Sequence, residues 1–347
     1  MSKTMRAYQL RQAGRMPEVV QIPIPEPGPG QVRLRTAGAG LCHSDMLAIH
    51  ANPSFFPLPM TMGHEATGWI DAVGEGVEGL RAGDAYGVYF PWGCGHCTPC
   101  ASGAENICDR SAQTPGFATG RDGGMAEYIL VDSPRHLVPL GDLDPVAAAP
   151  LMCAGITTYH AVGQALGRLG PGSTAVVIGV GGLGHIAIQI LKAMTPARVI
   201  GVDTQEEKLD HARELGADLA FLAGPATADA IRAETGGLGA AVVFDFVGND
   251  VTLGFGAKIL AQGGSLEIVG VGGGTLPVRF MEMPRDTSVT LPYAGAIGDL
   301  RGVVGLFASG LLHPDVIPIG FSQLDETYAL MEAGKLKGRA VLVPSMQ

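Results

Sequence analysis

The chain has 347 residues, of which 46% are hydrophobic and 16% charged, with a formal net charge of −10. That length exceeds what one core comfortably organises and suits two domains. The acidic balance excludes the basic footprint of a nucleic-acid binder and disfavours docking on an anionic membrane surface.

The start, MSKTMRAYQL, lacks the apolar core of a secretory signal, so a cytoplasmic setting is expected. Through the first ~150 residues, short runs such as QVRLRTAG, GHEATGWIDAVG, DAYGVYF and MAEYILVD alternate with Gly/Pro turns such as PEPGPGQ, which predicts a compact β-rich domain. Phe55 and Phe56 in this region read as core.

Within that half lies WGCGHCTPCASGAENIC, which places Cys94, Cys97, Cys100 and Cys108 in one short glycine-bearing loop. Thiols stay reduced in the cytoplasm, so a cluster this tight favours a metal over bridges, although the spacing alone also permits two disulfides. Four thiolates suit a closed, tetrahedral, structural zinc. The iron–sulfur alternative shares the C-x2-C-x2-C beginning, but here the fourth cysteine is not followed by proline and no second cysteine set accompanies it.

Two cysteines remain, Cys42 in GLCHSD and Cys153 in APLMCAGITTYH. A lone buried cysteine is ordinarily just a small hydrophobe. Between them, however, TMGHEATGW carries His64 and Glu65. Two cysteines and a histidine form the ligand set of a catalytic zinc with an open fourth position. Spacing alone does not bring residues so distant together.

From residue 174 the pattern changes. TAVVIGV is a continuous apolar run, as expected of a strand covered on both faces. It enters GVGGLG, which comprises Gly179, Val180, Gly181, Gly182, Leu183 and Gly184, and then the helical stretch HIAIQILKAM. A second strand, RVIGVD, ends at Asp203, about twenty residues further on, which completes a dinucleotide fingerprint in its strand–turn–helix–strand setting. The glycines let backbone approach a pyrophosphate at the helix N-terminus. Asp203 would accept ribose hydroxyls and repel a 2′-phosphate, favouring NAD over NADP.

TQEEKLDHARELGA predicts an amphipathic helix, while AVVFDFVGND and GGSLEIVGVGGG predict buried strands running into glycine loops. Val247, Val269 and Val271 then fall beyond the carboxyl ends of strands, where such sheets bind ligands. A helix (DLRGVVGLFASG) and a strand (RAVLVP) follow. The expected organisation is α/β: a catalytic domain over 1–154 with a zinc lobe at about 91–110, a doubly wound NAD-binding Rossmann domain over 155–293, and a tail over 294–347 that returns to the first domain.

On GLCHSD, GHE, the four-cysteine lobe, GVGGLG with its acid, and KGRAVLVP, the chain resembles the zinc-dependent medium-chain alcohol dehydrogenases over nearly its whole length. It is most similar to their bacterial secondary-alcohol and aryl-alcohol branch, through PWGCG, CxxC and ENxC. The resemblance implies a GroES-like catalytic domain and two zinc ions per subunit, one on Cys42, His64 and Cys153 and one in the lobe. It further implies that Ser44 carries the substrate proton, that Asp45 orients His64, that Thr157 touches the nicotinamide side and that Arg339 touches the pyrophosphate. Glu65 resembles a near-zinc glutamate of the family, able to pair with Arg339 or approach the metal; an ordinary ion pair between the two is an equal alternative.

Where many members carry a proton-relaying histidine, this chain has Leu47, which leaves His43, His50 or the nicotinamide ribose hydroxyl to finish the relay, with His43 first. Leu47, Phe90 and Trp92 are the expected pocket residues, pointing to a hydrophobic alcohol or ketone. Homo-oligomers, tetramers above all, are common among relatives. A polyol or amino-alcohol dehydrogenase of the same superfamily, or a silent NAD(H)-binding zinc sensor, are the competing readings.

Overall fold

The computed structural model describes residues 3–50, 57–113 and 116–346, so Phe55 and Phe56 lie outside the described residues. The chain divides into two units. One comprises Met1–Ile156, Ala296–Ala308 and Pro314–Gln347; the other comprises Thr157–Gly295 and Ser309–His313.

The first unit is built on a seven-stranded sheet in the order Leu137–Pro139, Ala85–Val88, Glu65–Val73, Val32–Gly40, Arg339–Leu342 and Val316–Ile319, with Tyr128–Val131 also pairing with Val32–Gly40. A smaller sheet joins Glu18–Pro23, Thr4–Leu10 and Met60–Thr61. Alternating apolar positions along Val32–Gly40 supply Val32 and Leu34 to the interior. The register matters most at one end. Gly40 pairs with Glu65 on one side and with Val341 on the other. The chain segments just beyond those partners, Leu41–Cys42, Gly63–His64 and Arg339–Ala340, therefore meet at one edge of the sheet. Only glycine serves at position 40, because a Cβ there would collide with the Glu65 carboxylate.

The second unit is a six-stranded parallel sheet, ordered Leu219–Leu222, Arg198–Asp203, Thr174–Ile178, Ala240–Asp245, Leu260–Ile268, Ser288–Thr290. Numbered along the chain this is the 3-2-1-4-5-6 order of doubly wound dinucleotide folds. The strand order reverses between Thr174–Ile178 and Ala240–Asp245, where loops diverge and leave a crevice. The helix Gly184–Met194 follows the first strand, and a Cβ on Gly184 would strike the Gly179 carbonyl, so the third glycine is what lets helix and strand close up. Asn249 starts the helix Asp250–Ile259 with a reciprocal cap: its Oδ1 accepts the Thr252 N–H at 3.0 Å, and the Thr252 hydroxyl accepts the Asn249 N–H at 3.1 Å.

Among the described residues, no single helix is long and apolar enough to cross a membrane; one apolar helix pair, Pro145–Met152 with Ala154–Arg168, is bent by 50° at its break. The strand Glu18–Pro23 is largely exposed, whereas the helix Leu324–Glu332 buries Leu324, Thr327, Tyr328 and Met331 along one face.

Candidate metal centres and dinucleotide turn

Cys42 follows the strand Val32–Gly40 and precedes the helix His43–His50, His64 precedes the strand Glu65–Val73, and Cys153 ends the short helix Ala149–Met152. The ligand atoms of Cys42, His64, Glu65 and Cys153 all lie within 4.8 Å of one another, and all four residues are buried. Three segments that are remote along the chain thus converge, two of them fixed by the Gly40–Glu65 register.

The polar surroundings act differently on the candidate ligands: they favour the thiolate of Cys42 but, with no metal bound, the protonated ring of His64. His64 Nδ1 faces Asp45 Oδ1 at 3.2 Å, which commits that nitrogen to Asp45 and leaves Nε2 as the candidate ligand atom. Burial opposes a charge on His64, but Asp45 and the Cys42 sulfur override it and push the imidazole up to about 10. The hydrogen bond with the Cys153 sulfur, aided by His64 and the Arg339 charge and opposed by burial, holds the Cys42 thiol well below its usual range. Thiolate is the ligating form of cysteine, so the pocket favours the species a metal needs. Arg339 Nη2 donates to Glu65 Oε1, and both side chains are buried. Glu65 Oε2 and Arg339 Nε have no protein partner among the described residues. A buried carboxylate oxygen left over beside two thiolates and an imidazole fits a divalent cation, and this soft sulfur and nitrogen set suits zinc.

The second cluster is local. Cys94, Cys97, Cys100 and Cys108 bring their sulfurs within 4.8 Å of one another. Cys94 Sγ lies 4.0 Å from Cys100 Sγ, and Cys97 Sγ lies 3.8 Å from Cys108 Sγ. None of the six cysteines is bridged. Four sulfurs each about 2.3 Å from one centre sit about 3.8 Å apart at tetrahedral corners, which is the spacing seen. A cluster of several irons would hold them wider apart. Backbone N–H groups point at these sulfurs: Cys97 N at 3.4 Å from Cys94 Sγ, and Arg110 N at 3.3 Å from Cys108 Sγ. Against its burial, the N–H groups of Cys94 and Arg110 bring the Cys108 thiol down to about 6, whereas burial drives Cys100 up to about 12.

Ser44 is half-buried, its hydroxyl 3.7 Å from Cys42 Sγ, and His43 beside it is exposed. Leu47 is 53% exposed on the same helix. The Phe90 ring packs tilted against His64, centroids 5.2 Å apart. Trp92 is committed to packing: its ring stacks on His136 at 4.7 Å and Phe117 at 5.9 Å, and its Nε1–H donates to the Tyr89 carbonyl at 2.5 Å. Arg339, expected at a pyrophosphate, is buried and spends Nη2 on Glu65.

In the second unit, Gly179 has φ +85°, a conformation glycine adopts freely. Val180 N–H donates to Asp203 Oδ2 at 2.8 Å and Gln205 N–H to Oδ1 at 3.2 Å, so the carboxylate is fixed at the mouth of the glycine turn. An ionised carboxylate offers about four lone-pair sites, leaving acceptors for a ligand. Gly181, Gly182 and Leu183 are half-buried in the turn before the helix. Asp245 Oδ1 accepts the N–H groups of Val247 at 2.8 Å and Gly248 at 2.9 Å, which shapes the neighbouring loop. Val269 is half-buried, Val271 exposed and Thr157 buried.

Two features escaped the sequence reading, Tyr328 and the His136–Trp92 stack. Neither residue carries a local signal, because what sets each apart is a tertiary contact.

Residues 28–142 match the alcohol dehydrogenase GroES-like domain, and residues 182–309 match the zinc-binding dehydrogenase domain. An NAD-dependent alcohol dehydrogenase of Sulfurisphaera tokodaii is 38% identical, with 98% of this chain and 100% of the relative covered. A D-arabinose 1-dehydrogenase (NADP(+)) of Saccharolobus solfataricus is 35% identical over 98% of this chain and 97% of its own length. Among solved structures, the alcohol dehydrogenase of Aeropyrum pernix superposes with a TM-score of 0.90 at 35% identity, covering 98% of this chain and 100% of that one. The chain belongs to the zinc-type medium-chain alcohol dehydrogenase family.

Proposed function

We propose that this protein is an NAD-dependent alcohol dehydrogenase that transfers hydride reversibly between a hydrophobic alcohol, aryl or medium-chain, and NAD+, giving an aldehyde or ketone. The observation that carries the reading is the convergence of Cys42, His64 and Cys153 within 4.8 Å, with Glu65 beside them. Zinc held by those three residues supplies a Lewis acid that lowers the pKa of an alcohol hydroxyl, and the dinucleotide supplies the hydride acceptor. Everything else falls to the chain's own groups.

Asp45 fixes the His64 tautomer, so that Nε2 is presented as the ligand atom. The Ser44 hydroxyl, beside Cys42, accepts the substrate's proton. His43, exposed one residue earlier, is placed to hand that proton to solvent; Leu47 cannot, lacking any titratable atom. Arg339 donates to Glu65 and holds that carboxylate beside the metal ligands. In the second unit, Gly179, Val180, Gly181, Gly182, Leu183 and Gly184 cradle the pyrophosphate, while Asp203 accepts ribose hydroxyls and repels a 2′-phosphate. Thr157 touches the nicotinamide side, and Val247, Val269 and Val271 edge the cofactor. Residues 1–154 and 294–347 serve catalysis and 155–293 the dinucleotide.

Phe90 against His64 gives the metal centre an apolar neighbour, which favours a hydrophobic substrate. The D-arabinose relative supports a second reading, a sugar or polyol substrate. We further propose a cytoplasmic homo-oligomer, tetramer favoured. Among the described residues the edge strand Ser288–Thr290 has a partner on only one side, and the segment before it exposes Phe280 at 94% and Met281 at 88%. Such an unpaired edge with large exposed apolar side chains calls for a covering chain.

The test is formation of NADH or NADPH on a panel of benzylic, medium-chain primary and secondary alcohols and D-arabinose. NADH formation on the apolar members is expected. Turnover of D-arabinose alone favours the second reading, and no turnover of any member with two zinc ions bound per chain contradicts both.

A further inference from the structure

Asp45 stands behind His64, yet part of its own anchorage comes from the far end of the chain. Its Oδ2 accepts two hydrogen bonds, from the Cys42 backbone N–H at 2.9 Å and from the Tyr328 hydroxyl at 2.9 Å, while Oδ1 faces His64 Nδ1 at 3.2 Å. Tyr328 belongs to the helix Leu324–Glu332 and is fully buried. Its ring stacks on Tyr8, centroids 6.2 Å apart and planes 13° from parallel. The Tyr8 hydroxyl goes elsewhere, donating to Asp325 at 2.6 Å. Two neighbouring phenols therefore serve two different carboxylates, and only the Tyr328 hydroxyl reaches the one that touches a metal ligand. Burial and the Asp45 charge raise the Tyr328 phenol well above its usual range, so it remains a donor.

We propose that Tyr328 is a positioning residue for the Cys42–His64–Cys153 metal centre: its hydroxyl fixes the Asp45 carboxylate, which in turn fixes the direction and tautomer of His64. This rests on the metal-centre reading above. The physical case is one of competing demands. Asp45 must hold the chain end at Cys42 and the imidazole of His64 with a single planar group. With Tyr328 on Oδ2, rotation of that group would break three contacts, those with Cys42, Tyr328 and His64, instead of two. Tyr328 lies in a buried cluster with the apolar side chains of Leu41, Met46, Ile49, Met62 and Leu342, and the other phenol of that cluster, Tyr8, gives its hydroxyl to Asp325 at 2.6 Å. A loosened Asp45 leaves His64 free to tilt or change tautomer, and the ligand atom is no longer held ready.

The experiment is a zinc competition on the full chain with a chromophoric chelator, read for wild type, Tyr328→Phe, Asp45→Ala and the double variant. Melting of the zinc-free chains is followed alongside. Tyr328→Phe keeps the ring and its stacking, and Tyr8→Phe reports the cost of losing a buried hydroxyl that does not reach Asp45. Tyr328→Phe is expected to weaken one of two zinc ions by about tenfold, within the range for groups that orient metal ligands. Tyr8→Phe should leave both affinities unchanged, and Tyr328→Phe should cost less than about twofold on the Asp45→Ala background, since coupled residues are not additive. An affinity within about twofold of wild type, or an equal loss on both backgrounds, overturns the proposal. Cys42→Ala separates the two ideas. If it still binds two zinc ions, the metal-centre reading fails and this proposal with it. If it binds one while Tyr328→Phe is unaltered, the positioning role alone falls.

Discussion

The four-cysteine lobe draws every ligand from the chain between Cys94 and Cys108, while the other centre gathers Cys42, His64 and Cys153 from three separate segments. The lobe's sulfurs are served by backbone N–H groups of the same loop, such as those of Cys97 and Arg110. The dispersed centre is served by side chains instead, Asp45, Arg339 and Tyr328, each from a different part of the sequence. A local cluster needs only a tight loop, and a metal there staples that loop. A dispersed cluster needs the whole sheet register first, so its metal arrives at a prepared site. The first arrangement suits stability and the second suits chemistry, because a prepared site keeps its geometry when a ligand position is given to substrate.

That contrast can be broken most severely by Cys42→Ala. Turnover should fall more than ~100-fold, beyond what loss of a mere orienting group costs, while NADH binding by fluorescence persists; simultaneous loss of NADH binding would deny the division of labour. Ser44→Ala should lower kcat by roughly 10²-fold or more, the usual contribution of a proton-transfer group, with zinc content unchanged. An unaltered kcat would move the proton elsewhere. Cys97→Ser should do the reverse of Cys42→Ala: a lower melting midpoint, reflecting a loss of several kcal/mol of the kind seen when a structural metal goes, with kcat at low temperature kept within about threefold in the fraction that stays folded. A variant of equal stability that lost only kcat would erase the distinction between the two clusters.

The smallest effect concerns His136, stacked on Trp92 next to the lobe. Burial, helped by the Arg135 charge, depresses its imidazole to about 3. An unfolded histidine titrates near 6.5, so between those values the unfolded chain binds the extra proton and stability falls as pH drops. The slope should reach about 1.4 kcal/mol per pH unit at most. His136→Phe should flatten it in urea melts between pH 4 and 6, roughly where the two forms differ; an unchanged acid limb would assign the loss to other groups.

What could be read from residues alone follows the same division. The glycine turn with Asp203 and the lobe are local patterns, so their residue types and spacing already carry the geometry. Cys42, His64 and Cys153 could be named as a chemically apt set, but their meeting depends on the Gly40–Glu65 pairing, which no local pattern encodes. Trp92 shows the opposite failure: an aromatic beside Phe90 reads as pocket, whereas tertiary packing takes its whole face with His136 and Phe117. Arg339 reads equally well as an anion ligand or as an ion pair, and only the strand Arg339–Leu342 lying beside Val32–Gly40 brings it to Glu65. Tyr328 was invisible because its function lies in where one hydroxyl points.

The central claim is that two chemically different metal centres coexist in the first unit. Diffraction data collected at the zinc absorption edge from the purified protein test it directly. Two anomalous peaks are predicted, one enclosed by the sulfurs of Cys94, Cys97, Cys100 and Cys108, the other shared by Cys42, His64 and Cys153. A peak in the lobe alone, with nothing among Cys42, His64 and Cys153, would contradict the account.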